Sequence, residues 1–485
     1  MSDLSEASTA KQKAKCDIYP TSMAEALPSK ERVAEARKML EAAGVKYVLS
    51  VWIDLLGVPK TKPVPLSEFE AVCAGKGPQF AVHSISFVPE LGPADSDQIP
   101  VPDLDTLVIC PWDKTTCWMF ADLWWEDKPY NLCPRQTLKR AVKNAADQGL
   151  KAFSGIEPEF FAMRWEDGQP VKAIDDDPKE GQGLRPRRQA FGYDVEYSID
   201  SMAFLGEMID TLADLGWGIK DVVAEGGYSQ FELDFDYADV LTMADRLVFL
   251  RILLKETAKK HGMFITFMPK PTIGDWRSGA HINFSLTKTE GGGNLIEGDD
   301  DFSGEAYNVV GGLLKHGAAI TALACSTVNS YNGLVPKVGG FEGGTVTWAP
   351  THMAYGNNNR SCMIRLPQNR YCIENRAADM CMNPYLALAL TTAAAVEGIA
   401  ENIDPGKPLN IDLYSLSREQ IAEANIPAIP RNLLEALEAL EKDDLAREVL
   451  GESMLKQFFA YKMDEWDRYH QQVCAWEVEE YLRLY

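Results

Sequence analysis

The sequence predicts an α+β protein with a small N-terminal domain and a large C-terminal domain. Its 485 residues exceed what one simple core usually holds, so two domains are expected. The first 125 residues carry one helical pattern followed by several short strand patterns, which is typical of a small α+β domain. We expect a mobile polar tail at 1–28, the small domain at 29–130 and the large domain at 131–485.

The small domain begins with an amphipathic helix. Ser29 can cap this helix, and Val33 and Leu40 lie on one of its faces. Apolar residues then occupy every second position from Tyr47 to Ile53, as one face of a strand does. The predicted elements are helix 29–43, strand 47–53, a turn at 56–57, and strands 60–64, 104–111 and 117–123.

The large domain mixes helices with short strands. Gly216 can end one helix, and Asp236 or Asp239 can cap the next. Segment 164–189 is charged and rich in glycine and proline, which predicts a long surface loop. We predict helices at 136–148, 199–215, 238–261, 306–323, 384–400 and throughout 431–484, and strands at 231–235, 264–268, 279–286 and 363–366.

Charge and composition exclude several classes of function. The chain has 71 acidic and 48 basic residues and a net charge of −23, which argues against a nucleic-acid surface. No apolar run reaches the roughly 18 residues of a membrane-spanning helix, and the N-terminus lacks a signal-peptide core. The ten cysteines contain no C-x-x-C pair, so we expect the reduced thiols of a cytoplasmic protein.

Two carboxylates lie two residues apart inside an apolar run. In a strand, Glu157 and Glu159 would point to the same face and raise each other's pKa unless a cation lay between them. An isolated E-x-E pattern is more often an exposed strand face or a turn. Later acidic residues and one histidine favour a functional interpretation here.

Those later residues form a set of hard ligands. Glu225 and Glu232 flank a glycine-containing turn, His281 follows a Ser-Gly turn in a strand pattern, and Glu374 precedes Arg376 in an extended segment. Each pattern alone is a weak signal of a site. A lone histidine, for example, is usually structural. Together, five carboxylates and one imidazole suit Mg²⁺ or Mn²⁺ better than Zn²⁺.

Phosphoryl transfer from ATP would need such ions together with cationic side chains. The chain has no G-x-x-x-x-G-K-[ST] loop and no kinase motifs, so any nucleotide site must be built from metals and arginines. The candidates are Arg360, Arg365, Arg370 and Arg376, whose alternative interpretation is solvated surface charge.

At this point the sequence resembles the glutamine synthetase superfamily, from roughly residue 47 to the C-terminus. Several matching stretches occur in order, and the combination is far more specific than any one of them. The stretches are 155–160, 225–232, 267–271, 278–286, 329–336, 359–367, 374–376 and 383–385.

The resemblance implies a β-grasp-like N-terminal domain and a catalytic domain with an antiparallel sheet or split barrel and helices. It also implies a homo-oligomeric ring, commonly a dodecamer, with sites shared between subunits. The implied reaction is ATP-dependent carbon–nitrogen ligation, with ATP, L-glutamate and an amine as substrates, Mg²⁺ or Mn²⁺ as cofactor, and no nucleic-acid or membrane partner.

The resemblance also implies roles for individual residues. Glu159, Glu225 and Glu232 would hold one metal, and Glu157, His281 and Glu374 would hold a second metal that engages ATP. Arg360 and Arg365 would stabilise the transferring phosphoryl group, with Arg365 and Arg370 at the nucleotide. Arg376 and Gly279 would contact glutamate or its phosphate, and Tyr193 and Glu342 would line the amine site, Glu342 acting as a catalytic residue.

One departure from the family pattern concerns the amine. The family's F-D-G-S-S loop carries an aspartate for ammonium, whereas Ala81 occupies that position here. Phe80, Val82, Ile85 and Phe87 would offer apolar contacts to a larger amine. We therefore favour an organic amine as the acceptor, the alternative being that this loop is misaligned.

A second departure concerns the acid. The family's N-S-Y-K-R motif carries an arginine for the α-carboxylate of the amino acid, and Gly333 stands at that position here. The family's N-G before the S-G-x-H motif is Trp276-Arg277 in this chain. Our hypothesis is that Arg277 replaces the lost positive charge.

The favoured function is therefore a glutamate–amine ligase that forms a γ-glutamylamide through a γ-glutamyl phosphate. A γ-glutamylanilide synthetase of amine catabolism is the most specific version. The alternatives are a glutamine synthetase that uses ammonia, a catalytically inactive structural or sensory relative, and a metal-dependent hydrolase or kinase. Tyr414 lies where some relatives are adenylylated, but a tyrosine beside a helix usually only packs.

Overall fold

The computed structural model describes residues 19–81, 91–174, 192–272, 276–299, 301–334 and 348–485. Most of the expected N-terminal tail therefore lies outside the described residues, as do Val82 and Glu342. In the part of the chain that is described, no helix is long and apolar enough to cross a membrane.

The N-terminal part contains a mixed sheet. Its strands are β1 (Tyr47–Ile53), β2 (Pro59–Thr61), β3 (Val64–Pro65), β4 (Ile99–Pro102), β5 (Val108–Ile109), β6 (Thr116–Trp125) and β7 (Lys128–Pro129). β1 and β6 pair in parallel, and the other pairs are antiparallel. One face of β1 packs against the helix Lys30–Ala42, whose Val33 and Leu40 join Val48 in a buried cluster.

The second sheet has ten strands among the described residues. They are β8 (Leu150–Glu166), β9 (Gln169–Lys172), β10 (Asp221–Ala224), β11 (Gln230–Asp234), β12 (Ala238–Asp239), β13 (Phe264–Thr266), β14 (Ala280–Lys288), β15 (His352–Asn357), β16 (Cys362–Leu366) and β17 (Ile373–Asn375). The main path runs β10-β11-β8-β14-β17-β16-β15, and all pairs are antiparallel except β15 with β16. The long strand β8 is central because it also pairs with β9, β12 and β13.

Helices pack against both sheets and against one another. In chain order the α-helices are α1 (Met23–Ala26), α2 (Lys30–Ala42), α3 (Phe69–Cys73), α4 (Pro134–Asp147), α5 (Val195–Asp214), α6 (Val240–Lys260), α7 (Gly304–Lys315), α8 (Gly317–Ala324), α9 (Pro384–Ala400), α10 (Arg418–Glu423), α11 (Leu433–Lys442), α12 (Asp444–Leu450), α13 (Glu452–His470) and α14 (Ala475–Tyr481). α9 is buried on almost every side, which explains its alanine-rich sequence: small side chains let neighbouring helices approach closely.

A buried ion cluster joins the two parts of the chain. Arg135 is fully buried and donates hydrogen bonds to Asp103 and Asp122 of the N-terminal part and to Asp245 on α6. Lys139 adds a second cation beside Asp122. Because an unpaired buried charge is costly, these contacts hold the small sheet in a defined position against the helices.

Most predicted elements are confirmed within one to four residues. Helix α9 has the predicted bounds, and Ser29 and Asp239 cap α2 and α6 through their side chains. The strand prediction at 104–111 is wrong in part, since Leu104–Thr106 forms a 3₁₀ turn before the two-residue β5. The Asp103 side chain accepts from the Asp105 amide, a local bond that favours a turn over a strand.

Three further predictions are corrected. The loop expected at 164–189 is in part a hairpin of β8 and β9, whose turn has positive φ at Asp167 and Gly168. The single helix expected at 306–323 breaks at His316 into α7 and α8. The region expected to be helical throughout 431–484 contains four helices, two of them separated at Gly451 with φ 78°. The domain boundaries stay a prediction.

Candidate active site

Strand register brings the predicted acidic residues together. Glu157 and Glu159 share one face of β8, as alternate residues of a strand must. His281 on β14 lies opposite Glu157, and Glu232 on β11 lies opposite Glu159. Glu374 on β17 lies one strand further, opposite Asn283. Four strands therefore present five ligand-type side chains to one side of the sheet.

The first group is Glu157, His281 and Glu374. Nδ1 of His281 lies 3.0 Å from Oε2 of Glu157 and 3.9 Å from Oε1 of Glu374. Asn283 donates to the other oxygen of Glu157 at 2.9 Å, which orients the carboxylate. The ligand atoms of this group all lie within 4.8 Å of one another.

The second group is Glu159, Glu232 and His281, again with ligand atoms within 4.8 Å of one another. Nε2 of His281 lies 3.7 Å from Oε1 of Glu159. The imidazole ring of His281 therefore belongs to both groups, with Nδ1 near the first and Nε2 near the second. Gln230 donates to Oε2 of Glu159 at 3.2 Å. Gly279 lets the strand approach closely, because a Cβ there would lie 3.0 Å from both Glu159 Oε1 and His281 Nε2.

Glu225 does not join the second group, where the resemblance implies it. Its carboxylate lines the same cavity and accepts from the Gly226 amide at 3.4 Å. The turn after β10 sets it apart from Glu232, which the β11–β8 register holds beside Glu159. It forms no ion pair with the described side chains.

The two groups differ in charge state. Burial raises the pKa of Glu157, but the His281 hydrogen bond and Arg370 outweigh burial and bring it to about 2. Burial and the charge of Glu225 raise the pKa of Glu159 to about 8. Burial and the neighbouring Glu159 also raise the pKa of Glu232 well above its usual range. Repulsion of this kind is relieved when a cation is bound between the carboxylates.

The donor set fits a hard divalent cation. Each group offers two carboxylate oxygens and one imidazole nitrogen, and carboxylate oxygen is the ligand that Mg²⁺ and Mn²⁺ prefer. Burial and the charge of Arg376 lower the pKa of His281, which favours the neutral imidazole that a metal requires. No cysteine belongs to either group, which disfavours a structural zinc site.

Three arginines donate hydrogen bonds to the carboxylates of the first group. Arg365 donates to Oε2 of Glu374 at 2.6 Å, and Arg376 donates to its Oε1. Arg370 donates to Oε1 of Glu157 at 2.7 Å. Arg360 forms no ion pair with the described side chains, and its guanidinium lies 5.6 Å from the Trp348 ring centroid. Of these four arginines, Arg360 is therefore the one without a carboxylate partner among the described residues.

Most of the acidic ligand candidates and these arginines line a cavity of about 440 Å³. That volume is within the usual range for small-molecule sites. The lining residues are Glu157, Glu159, Gly192, Tyr193, Val223, Glu225, Gly226, Glu232, Asp234, Trp276, Arg277, Gly279, His281, Trp348, Ala349, Arg360, Arg365, Arg370 and Arg376.

Of the residues predicted to contact the amine, only some line the cavity. Tyr193 lines the cavity, is 79% exposed and has a positive φ of 69°. Phe80 is buried instead in the N-terminal part, with its ring stacked on Trp52 at 4.0 Å. Ala81 is exposed at the surface, and Val82 and Glu342 lie outside the described residues. Within this chain, Phe80 and Ala81 do not line the cavity.

Arg277 lies at the cavity wall, but its guanidinium is already neutralised. It donates to Asp379 at 3.0 Å and to the Ala377 carbonyl at 2.9 Å, and its side chain is 4% exposed. Its methylene groups lie against Gly333. The hypothesis that it offers a free charge to the substrate is therefore not supported by its contacts.

The sequence predictions did not include several residues of the site. Gln230 and Asn283 bind the metal-ligand candidates, and both lie two residues from a predicted ligand on the same strand face. That period-two relation could have identified them. Trp276 stands beside the S-G-x-H motif but was not assigned to the site, and Trp348 carries no local signal of a site. The Tyr414 hydroxyl donates to the Ala349 carbonyl at 2.6 Å and is engaged in packing.

Comparison with known proteins agrees with this geometry. The model of the family described as glutamine synthetase, catalytic domain, matches residues 131–481. A glutamate–methylamine ligase of Methyloversatilis universalis is 36% identical over 459 residues, covering 93% of this chain and 99% of the relative. A glutamine synthetase of Rhizobium meliloti is 33% identical over 439 residues, covering 90% and 96%.

A solved structure of GmaS in complex with ADP has a TM-score of 0.82 and 32% sequence identity. It covers 92% of this chain and 99% of the solved chain. Together with the family match, this similarity confirms the predicted α+β fold with a large catalytic domain of that type.

Proposed function

Since the chain belongs to the glutamine synthetase family of carbon–nitrogen ligases, we propose that it joins L-glutamate to an organic amine while ATP is converted to ADP and phosphate. One observation carries the proposal: the two groups of carboxylates share His281, which lines a cavity that is also lined by five arginines. Phosphoryl transfer to a carboxylate needs this combination of cation-binding and anion-binding groups.

The chemistry proceeds in two steps. An oxygen of the glutamate γ-carboxylate attacks the γ-phosphorus of ATP, and ADP leaves with the bond electrons. The amine nitrogen then attacks the acyl carbon of the resulting γ-glutamyl phosphate, phosphate leaves, and the nitrogen loses a proton. The first step is needed because a free carboxylate is a poor acyl donor.

The acidic groups would hold the cations. Glu157, His281 and Glu374 would hold one, and Glu159 and Glu232 would hold another, with Glu225 lining the same cavity. Mg²⁺ or Mn²⁺ bound there would neutralise charge on the ATP phosphates. Asn283 and Gln230 orient the carboxylates through hydrogen bonds, which keeps the ligand oxygens in place.

The arginines would stabilise the anionic groups of the substrates. Arg360, which has no carboxylate partner among the described residues, suits the oxygens of the transferring phosphoryl group. Arg365 and Arg376 are held by Glu374, so their position is set before substrate binds. Arg370 would contact the nucleotide. Proton acceptance from the amine stays assigned to Glu342 by family resemblance.

An organic amine is favoured over ammonium for two reasons. A relative that covers nearly the whole chain is named for methylamine, and Ala81 replaces the family's ammonium-binding aspartate. The competing candidate is glutamine synthetase, the name of several relatives at about one-third identity. Within the organic-amine proposal, the acceptor is either an alkylamine or aniline.

We also propose a homo-oligomeric ring, commonly a dodecamer. The support is that Phe80 and Ala81 do not line their own chain's cavity, although the resemblance assigns their loop to an amine site. A site shared between neighbouring subunits would account for both facts.

The test is phosphate release from ATP with Mg²⁺ and L-glutamate, across ammonium, methylamine, isopropylamine, ethanolamine, putrescine and aniline. Turnover with an organic amine well above that with ammonium supports the proposal. Preference for ammonium would assign the glutamine synthetase reaction instead. The proposal requires that ADP release depend on both glutamate and the amine. ADP release when one of these two substrates is left out would indicate a hydrolase or a kinase. Absence of turnover with every amine would favour an inactive relative.

A further inference from the structure

The cavity has an aromatic wall beside its acidic groups. The wall consists of Trp276 and Trp348, whose ring centroids are 6.4 Å apart at an interplanar angle of 72°. Most of the other lining residues are charged, and these two indoles are the largest side chains with apolar rings among the described lining residues.

Close packing against a glycine places the Trp276 ring. A Cβ at Gly226 would lie 2.4 Å from Cε2 of the indole, so the ring rests directly on the backbone of residue 226. The adjacent residue is Glu225, whose carboxylate lines the cavity without a direct ion pair to the described side chains. The ring thus packs on the residue next to Glu225, and both Trp276 and Glu225 line the same cavity.

Trp348 is in contact with two arginines of the site. Its carbonyl accepts from Arg376 at 3.4 Å, and its ring faces the Arg360 guanidinium. Arg376 in turn donates to Glu374 of the first carboxylate group. The wall therefore extends from the acidic groups to the arginines that would bind the activated acid.

We infer that Trp276 and Trp348 bind the organic substituent of the acceptor amine. The inference rests on the proposed function and specifies its substrate class: primary amines that carry an apolar alkyl or aryl group larger than methyl. An alkylammonium ion would place its charge near Glu225 and its apolar part against the indoles. An indole ring attracts a cation and also packs well against an apolar group. A neutral aromatic amine would gain the apolar contact alone.

The test compares substrates within one enzyme. In the full-length protein with ATP, Mg²⁺ and L-glutamate, kcat/KM is measured for isopropylamine, aniline and methylamine. We expect Trp276→Ala and Trp348→Ala each to lower the isopropylamine-to-methylamine ratio roughly tenfold or more, the scale of a lost apolar pocket contact. Trp276→Phe keeps a ring at the wall and should lower the ratio less, which covers the case in which the alanine variant does not fold.

Trp165→Ala is the matched control. This tryptophan is 66% exposed, stacks on Phe264 and does not line the cavity, so its removal should leave the ratio unchanged. An unchanged ratio in active Trp276 and Trp348 variants would overturn the inference. A constant ratio together with a raised KM for ATP or glutamate would also overturn the inference, because the rings would then bind those substrates. Wild-type turnover with ammonium alone would reject the organic-amine function itself, and the wall with it.

Discussion

The side chain of Arg277 crosses the backbone of Gly333 so closely that a Cβ at position 333 would lie 2.5 Å from Arg277 Cδ. The guanidinium continues past this contact to the buried carboxylate of Asp379 at 3.0 Å. The arginine thus occupies the space beside residue 333 and neutralises an internal acid. Arg277 therefore does not offer the free positive charge that the family resemblance places at residue 333, because its partner is Asp379.

Arg277→Ala should destabilise the protein strongly. The substitution leaves the Asp379 carboxylate buried without its cation, and loss of one member of a buried pair typically costs about 3–5 kcal/mol. Urea denaturation would measure the free energy of unfolding. Adding Asp379→Ala should recover part of the loss, because the buried charge is then absent as well. Unchanged stability with a raised KM for glutamate would instead support a direct substrate role for Arg277.

Gly333→Ala should be harmful although alanine is small. Its Cβ would meet Cβ, Cγ and Cδ of Arg277 at 2.5–2.9 Å, which forces the arginine away from Asp379. We expect a loss of about 1–3 kcal/mol in unfolding free energy, the usual range for overpacking. Gly293→Ala is the control, because a Cβ there meets no atom within 4 Å. Equal stability of both variants would contradict the close contact.

Glu157→Gln should weaken divalent-cation binding. Wild-type protein is expected to melt at a higher temperature in Mn²⁺ than in EDTA, since a ligand at one hundred times its Kd stabilises the folded state by about 2.7 kcal/mol. The substitution removes a charged ligand of the first group, so Mn²⁺ affinity should fall roughly tenfold or more.

Melting temperature across a Mn²⁺ titration measures both effects. Glu166→Gln is the control, because Glu166 lies on the same strand but outside both carboxylate groups. If the two variants respond to Mn²⁺ alike, the first group does not hold the cation.

His316 should make stability depend on pH. Its Nδ1 lies 2.7 Å from Asp443 and its Nε2 lies 2.6 Å from Glu397, which also binds Lys315. Burial lowers the pKa of His316, but the two carboxylates outweigh burial and raise it above 6.5. The stabilisation is therefore complete below pH 6.5 and is lost as pH rises through the folded-state pKa.

His316→Gln should accordingly cost more stability at pH 6 than at pH 9. The difference should be about 1.5–3 kcal/mol, the scale of hydrogen bonds to charged groups, and thermal melts across this range would measure it. His470→Gln is the control because His470 is exposed at the end of α13. A penalty that grows with pH would contradict the assignment of a protonated imidazole.

Much of the fold follows from local patterns. The cap residues Ser29 and Asp239 and the alternation in β1 predict their elements because the relevant contacts are within a few residues. Prediction fails at His316, where the break between α7 and α8 is accompanied by ion pairs with Glu397 and Asp443, 81 and 127 residues away. No local pattern contains those partners.

The sequence by itself determined which residues could carry chemistry, because alternation along a strand places Glu157 and Glu159 on one face and motif order supplies His281 and Glu374. Tertiary structure alone decided which of them meet. His281 lies opposite Glu157, 124 residues away, and Arg277 contacts Asp379 instead of the open cavity. The reason is physical: strand register and buried charge pairing are set by the packing of the whole chain, and a shift of one residue would turn every ligand to the other face.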